Sequence, residues 1–175
     1  MRILVTGGVR SGKSTHAEEL IGGAPATYVA TGTPPDREQD PDWAARIDAH
    51  RARRPDSWGT VETQDLAGVL AEARDPLPVD CLGTWLTAVI DAADAWEGDS
   101  DAVHDLVLAR TDEVVDALGR CEQDVVLVTN EVGLGIVPEH RSGRLFRDLL
   151  GIVNQRVAAA CDEVHLVVAG RVLRL

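Results

Sequence analysis

The chain contains a single lysine, Lys13, and it lies within Gly7-Gly8-Val9-Arg10-Ser11-Gly12-Lys13-Ser14. Every other Lys/Arg position is arginine. The segment has the spacing G-x-x-x-x-G-K-[ST], in which glycine-rich backbone wraps the phosphates of a nucleotide and a compact ammonium reaches the β/γ oxygens. A planar guanidinium is a poor substitute in so tight a loop, which explains why an arginine-rich chain keeps an ammonium here. Backbone N–H groups and the following helix N-terminus bind phosphate oxygens, and Ser14 is placed to ligate Mg²⁺. The alternative is a glycine turn that matches by chance. The flanking strand and helix patterns argue against it.

A second constellation is Arg46-Ile47-Asp48-Ala49-His50-Arg51-Ala52-Arg53-Arg54, one imidazole and several guanidiniums on about two helical turns. Clustered arginines are costly unless they face carboxylates or phosphates. His50 shares a helical face with Ile47 and Trp43, so a core-edge histidine is the plain reading. The arginines and the phosphate loop favour another, in which the imidazole is a nucleophile toward phosphorus. Asp80 ends the apolar stretch Leu77-Pro78-Val79 and reads either as a turn cap or as a carboxylate that holds Mg²⁺ through water. Asn130-Glu131-Val132-Gly133-Leu134-Gly135 follows an apolar run and reads equally as a ligand loop or as a plain turn. His16, His104, His140 and His165 have no comparable setting and are taken as structural. The single lysine also excludes the Asn-Lys-x-Asp guanine-reading motif of signalling GTPases.

These groups need a scaffold, and the patterning supplies one. Arg2–Thr6 is a short buried strand, and Lys13–Ile21 a helix closed by Gly22-Gly23 and Pro25. Strands are expected at Ala26–Ala30, Thr60–Glu62, Val79–Leu82 and Asp124–Thr129, with Thr31-Gly32-Thr33-Pro34-Pro35 as a loop. Helices are expected at Trp43–Arg53, Leu66–Ala73, Trp85–Ala95, Val103–Leu118 and Arg144–Cys161. Val125-Val126-Leu127-Val128 suits a strand buried on both faces. Val164–Val168 and Val172–Leu175 read as a closing antiparallel pair. Alternating strands and helices predict a single α/β domain over 1–175 with a mostly parallel sheet.

A chain of 175 residues supports one full core. Its net charge of −12 argues against a broad nucleic-acid or anionic-membrane surface. No apolar run reaches membrane-spanning length, and with the phosphate loop so near the first residue no signal peptide is expected. Cys81, Cys121 and Cys161 are odd in number and lack metal-ligand spacing, so free thiols in a reducing cytoplasm are expected.

The segments ILVTGGVRSGKS, YVATG, ARIDAHRARRPDSWGTVE, VDCLGTWL, VTNEVGLGIVP and RLFRDLLGIVNQRVAAACDEVHLVVAG together resemble the bifunctional adenosylcobinamide kinase/adenosylcobinamide-phosphate guanylyltransferases of cobalamin biosynthesis. They run in that family's order through nearly the whole chain. The resemblance implies a P-loop NTPase fold with a RecA-like, mostly parallel sheet, and a homotrimer. It also implies two reactions. A nucleoside triphosphate, ATP or GTP, phosphorylates adenosylcobinamide; GMP from GTP then passes through a histidine to adenosylcobinamide phosphate, giving adenosylcobinamide-GDP. By motif, His50 matches the guanylylated histidine and Gly7 to Ser14 the phosphate loop. Ala30, Thr31, Gly32, Arg51, Ala52, Arg53, Arg54, Glu62 and Asp80 match nucleotide-contacting positions. The chain departs from the family in a shorter apolar run before Asp80, in Gly83 where a larger residue is usual, and in Gly32 where many relatives carry serine. Two rival readings need no covalent step: a simple P-loop small-molecule kinase, and a nucleotide-binding regulatory module.

Overall fold

The computed structural model describes residues 1–32 and 40–175. The loop read at Thr33–Pro35 and the side chains of Trp43 and Arg46 lie outside the described residues. The strands are β1 (Arg2–Gly7), β2 (Thr27–Ala30), β3 (Gly59–Glu62), β4 (Leu77–Asp80), β5 (Val125–Val128), β6 (Glu163–Val168) and β7 (Arg171–Arg174). The helices are α1 (Lys13–Ile21), α2 (Pro41–Arg51), α3 (Leu66–Glu72), α4 (Leu82–Ala92), α5 (Ser100–Arg120) and α6 (Arg141–Ala159). One seven-stranded sheet has the order β3-β2-β4-β5-β1-β6-β7. Every pairing is parallel except β6 with β7.

Strand alternation divides the core. Leu4, Leu77, Val79, Val125 and Leu127 pack into one cluster with apolar residues of α3, α4, α5 and α6. Ile3, Val5, Val126, Val128 and Val167 face the other way, onto Ala17 and Leu20 of α1. β5 is therefore apolar throughout because both of its faces are covered. β4 tolerates Pro78 within the sheet. Leu77 N–H bonds Asp124 O on the β5 side, so the missing Pro78 N–H points toward β2, whose ladder with β4 pairs only Val29 with Val79 and Ala30 with Asp80.

Several ends differ from the sequence reading by a turn or less. α4 begins at Leu82 instead of Trp85, because Cys81 and Thr84 form a reciprocal cap and Gly83 is accommodated, buried, in the first turn. α6 begins at Arg141 instead of Arg144. The Arg141 guanidinium bonds the carbonyls of Trp96 and Gly98, which ties that first turn to the α4–α5 connection. α2 ends at Arg51, so Ala52, Arg53 and Arg54 lie just beyond it. Among the described residues no helix is long and apolar enough to cross a membrane. All three cysteines are free thiols, and burial pushes Cys161 up to about 12.

Candidate active site

The phosphate loop runs from the C-terminal end of β1 into α1. Gly7 must be glycine, since a Cβ there would collide with the Val167 carbonyl oxygen and sit 2.7 Å from Ser11 Oγ. Gly12 adopts φ +97°, a left-handed conformation that L side chains resist. It is also the N-cap of α1 and offers no side-chain cap, so the first-turn N–H groups are left to an incoming anion. Lys13 is 5% exposed and folds back over the loop, with Nζ donating to Gly8 O at 3.0 Å. The β6–β7 turn braces the loop from behind, through Gly170 N–H to Ser11 O at 2.8 Å.

The other expected residues gather at the same edge of the sheet. Ala30, Glu62 and Asp80 are the last residues of β2, β3 and β4. Thr31 is fully buried and donates to Cys81 O at 2.7 Å, linking the ends of β2 and β4. Side chains converging from strand C-termini are the usual ligand-binding arrangement of open parallel sheets. His50 comes from the end of α2. Its Nδ1 is 3.7 Å from Asp80 Oδ2 and 3.3 Å from an Arg53 guanidinium nitrogen. Among the described residues, Asp80 Oδ2 is buried and accepts no hydrogen bond. His50 is thus turned toward charged groups at the sheet edge.

The arginines are held by carboxylates and an aromatic face. Arg51 pairs with Glu62, and Arg53 donates to both oxygens of Glu18 at 3.3 and 3.2 Å. The Arg54 guanidinium lies 3.2 Å over the Tyr28 ring and donates to Thr60 Oγ1. Burial, and then the Asp80 charge, hold the Tyr28 hydroxyl well above its ordinary range. Glu18 and Tyr28 were not singled out from the sequence, because only the fold brings them to the arginines.

Arg10, Ser11, Gly12, Lys13 and Ser14 line one cleft of about 700 Å³ together with Asp42, Ala49, His50 and Arg53. A cleft of this size holds a nucleotide-sized ligand. Val9 and Gly8 are exposed on the outer side of the loop. His16 and His165, read as structural, bond each other at 2.9 Å, and His165 Nε2 contacts Glu163 Oε2 at 2.8 Å. Desolvation and the neighbouring His165 hold His16 below its ordinary range. Among the described residues, no three His, Cys, Asp or Glu side chains converge to hold a metal unaided. The groups that could contribute to Mg²⁺ carried in by nucleotide phosphates and water are Ser14 and the buried Asp80 oxygen.

Comparison with known proteins bears on the fold and on the family. Across 94% of this chain and 50% of the other, the fold superposes at a TM-score of 0.57 and 13% identity on a prototypical ATPase from the type III secretion system of pathogenic bacteria. A Pyrococcus horikoshii OT3 protein gives 0.55 at 9% identity, over 99% of this chain and 84% of that one. These two likenesses concern the fold alone. The bifunctional adenosylcobalamin biosynthesis protein CobU of Escherichia coli (strain K12) is 45% identical over 179 residues, covering 97% of each chain. CobU of Salmonella typhimurium (strain LT2) is 46% identical with the same coverage. CobP of Pseudomonas aeruginosa is 38% identical over 97% of this chain and 94% of its own. The sequence profile described as cobinamide kinase / cobinamide phosphate guanyltransferase matches residues 3–175. With a P-loop sheet, a shared cleft and full-length similarity in agreement, the chain belongs to the cobinamide kinase / cobinamide phosphate guanyltransferase family.

Proposed function

We propose that one phosphate site serves both family reactions and that His50 carries the guanylyl group between them. The observation that carries this reading is that Lys13 and His50 line the same cleft. In the kinase step, the hydroxyl of adenosylcobinamide attacks the γ-phosphorus of ATP or GTP, the bond to the β-phosphate oxygen breaks, the nucleoside diphosphate leaves and the hydroxyl proton passes to solvent. The protein positions the reactants and neutralises charge through the loop amides and Lys13. Bound Mg²⁺ would neutralise charge on the phosphates, held by Ser14 and Asp80.

In the second reaction a ring nitrogen of His50 attacks the α-phosphorus of GTP. A P–N bond forms, the bond to the β-phosphate oxygen breaks, and pyrophosphate leaves. A phosphate oxygen of adenosylcobinamide phosphate then attacks the same phosphorus, the P–N bond breaks, and His50 is restored. Two displacements divide one hard transfer between bulky phosphates. Once Arg53 has left Nδ1, an Nδ1–H of His50 facing Asp80, 3.7 Å away in this structure, directs Nε2 at phosphorus. Arg53 shifts from Glu18 and Nδ1 onto the departing pyrophosphate. Ala30, Thr31, Gly32, Arg51, Ala52, Arg54 and Glu62 surround the nucleoside end. Of these, Glu62 is suited to accept from the N1–H and amino group of guanine, replacing the missing Asn-Lys-x-Asp reader. The enzyme works as a cytoplasmic homotrimer of single-domain chains.

Labelled GTP tests the central step. Label at the α-phosphate should remain on the protein, acid-labile and alkali-stable, while γ-label should not. His50→Ala should lose that label and guanylyl transfer but keep much of its kinase activity. Covalent GMP retained by His50→Ala would defeat the reading. A kinase without a covalent step predicts no retained α-label, and a regulatory module predicts no turnover of adenosylcobinamide.

A further inference from the structure

The nucleotide cleft leaves the largest part of the substrate unaccounted for. Its walls are charged and polar apart from alanines and Gly12. Cobinamide is a broad macrocycle whose edge carries methyl groups as well as amide arms, and its apolar atoms need a surface beside the site. Among the described residues, the 130–140 connection offers such a surface on a segment that leaves the site directly. Leu134 is 89% exposed, Ile136 96% and Val137 61%. Three large apolar side chains in four residues is costly to leave in water unless something covers them.

The connection leaves directly from the phosphate site. Thr129 N–H bonds Val5 O at 2.9 Å and Glu131 N–H bonds Gly7 O at 3.1 Å, so it starts as an extension of β5 alongside the phosphate loop. Ile136 is five residues beyond Glu131, within ~17 Å of extended chain. The backbone is also braced. Arg147 donates to Gly133 O at 2.7 Å and Gly135 O at 3.1 Å, and Arg144 donates to Pro138 O at 3.1 Å and Glu139 O at 2.5 Å. Gly133 N–H bonds the Glu131 carboxylate at 2.5 Å. Val132 packs inward against the core. The apolar side chains beyond it are thus displayed by a tethered platform whose ordering cost is met in the free protein.

We propose that Leu134, Ile136 and Val137 form the docking platform for the corrinoid macrocycle. They hold it so that its aminopropanol arm, and later the phosphate on that arm, reaches the cleft at Lys13 and His50. The assignment rests on the two-step function above and adds the place where the acceptor binds in both steps. It predicts that corrinoid affinity and nucleotide chemistry are separable by mutation.

The test is Leu134→Ser with Ile136→Ser in the full chain. Both positions are solvent-exposed, so the fold is expected to persist. The KM for adenosylcobinamide in the kinase step, and for adenosylcobinamide phosphate in guanylyl transfer, should each rise at least about tenfold. Covalent guanylylation by GTP alone and the mass in solution should match wild type. An unchanged corrinoid KM would overturn the proposal. So would a change in oligomeric mass, which would make the platform a contact between copies of the chain. An equal loss of guanylylation would also overturn it, by placing the loop in the nucleotide site. If wild type forms no covalent GMP, the two-step reading fails on its own. The platform is then still judged by equilibrium dialysis of adenosylcobinamide against wild type and variant, where equal binding would refute it.

Discussion

Lys13 and Asp80 offer two tests of the proposed site. Lys13 is a buried cation whose Nζ lies 3.0 Å from Gly8 O. Asp80 presents a buried oxygen that accepts no hydrogen bond among the described residues and lies 3.7 Å from His50. Lys13→Ala should therefore abolish both activities while the protein stays folded, as read by product formation and thermal melting. A near-wild-type kinase rate would refute the shared site. Asp80→Asn keeps the shape and removes the charge, and should lower both rates by more than about tenfold and weaken Mg²⁺ dependence. Rates and Mg²⁺ titrations equal to wild type would reduce Asp80 to a turn residue. Lys13 was legible in the sequence because its loop is contiguous. The apposition of His50 and Asp80 was not, because it depends on how α2 folds back onto the end of β4.

The strands that carry the site are joined at their N-terminal ends by a small set of polar ties. Asp162 Oδ2 accepts from Arg2 N–H and its Oδ1 from the Arg2 guanidinium, each at 2.7 Å, fastening the start of β6 to β1. The Arg2 hydrogen bonds hold the Asp162 carboxyl below its ordinary range. A depressed carboxyl pKa stabilises the fold at pH values above the unfolded value, about 3.9. That contribution is lost as pH falls through the lower folded value. Urea midpoints should therefore fall more steeply from about pH 5 to about pH 2 in wild type than in Asp162→Asn. Parallel slopes would show that the tie contributes nothing. At this scale the sequence placed every strand and helix but missed starts by up to a turn. Leu82 and Arg141 open helices only because Thr84 caps one and distant carbonyls receive the guanidinium of the other.

The antiparallel C-terminal pair leaves β7 as an edge of the sheet. All four β7 residues are exposed, and Val168, Val172, Leu173 and Leu175 add apolar surface there. Unprotected edges of this kind invite association. Multi-angle light scattering should return a mass near three times 18.8 kDa at micromolar concentration. A stable monomer would remove the trimer expectation. The β6–β7 turn also holds Ser11 O through Gly170, so any contact on β7 lies one hydrogen bond from the phosphate loop.

Local sequence alone determined the phosphate loop, the doubly buried β5 and the alternation that makes a parallel sheet. Each is written in consecutive residues: glycines with required conformations, an unbroken apolar run, and periodicities of two and 3.6. Tertiary structure decided the rest. Strand order β3-β2-β4-β5-β1-β6-β7 is what sets Ala30, Glu62 and Asp80 along one edge and lets α2 deliver His50 to it. It also gave Glu18 to Arg53, Tyr28 to Arg54 and His165 to His16. The loop from Asn130 read equally as turn or ligand loop, and only the tertiary structure leaves Leu134, Ile136 and Val137 exposed on a backbone braced by Arg144 and Arg147. Such pairings join residues far apart in the chain, and no local propensity encodes which strand end will lie beside which helix.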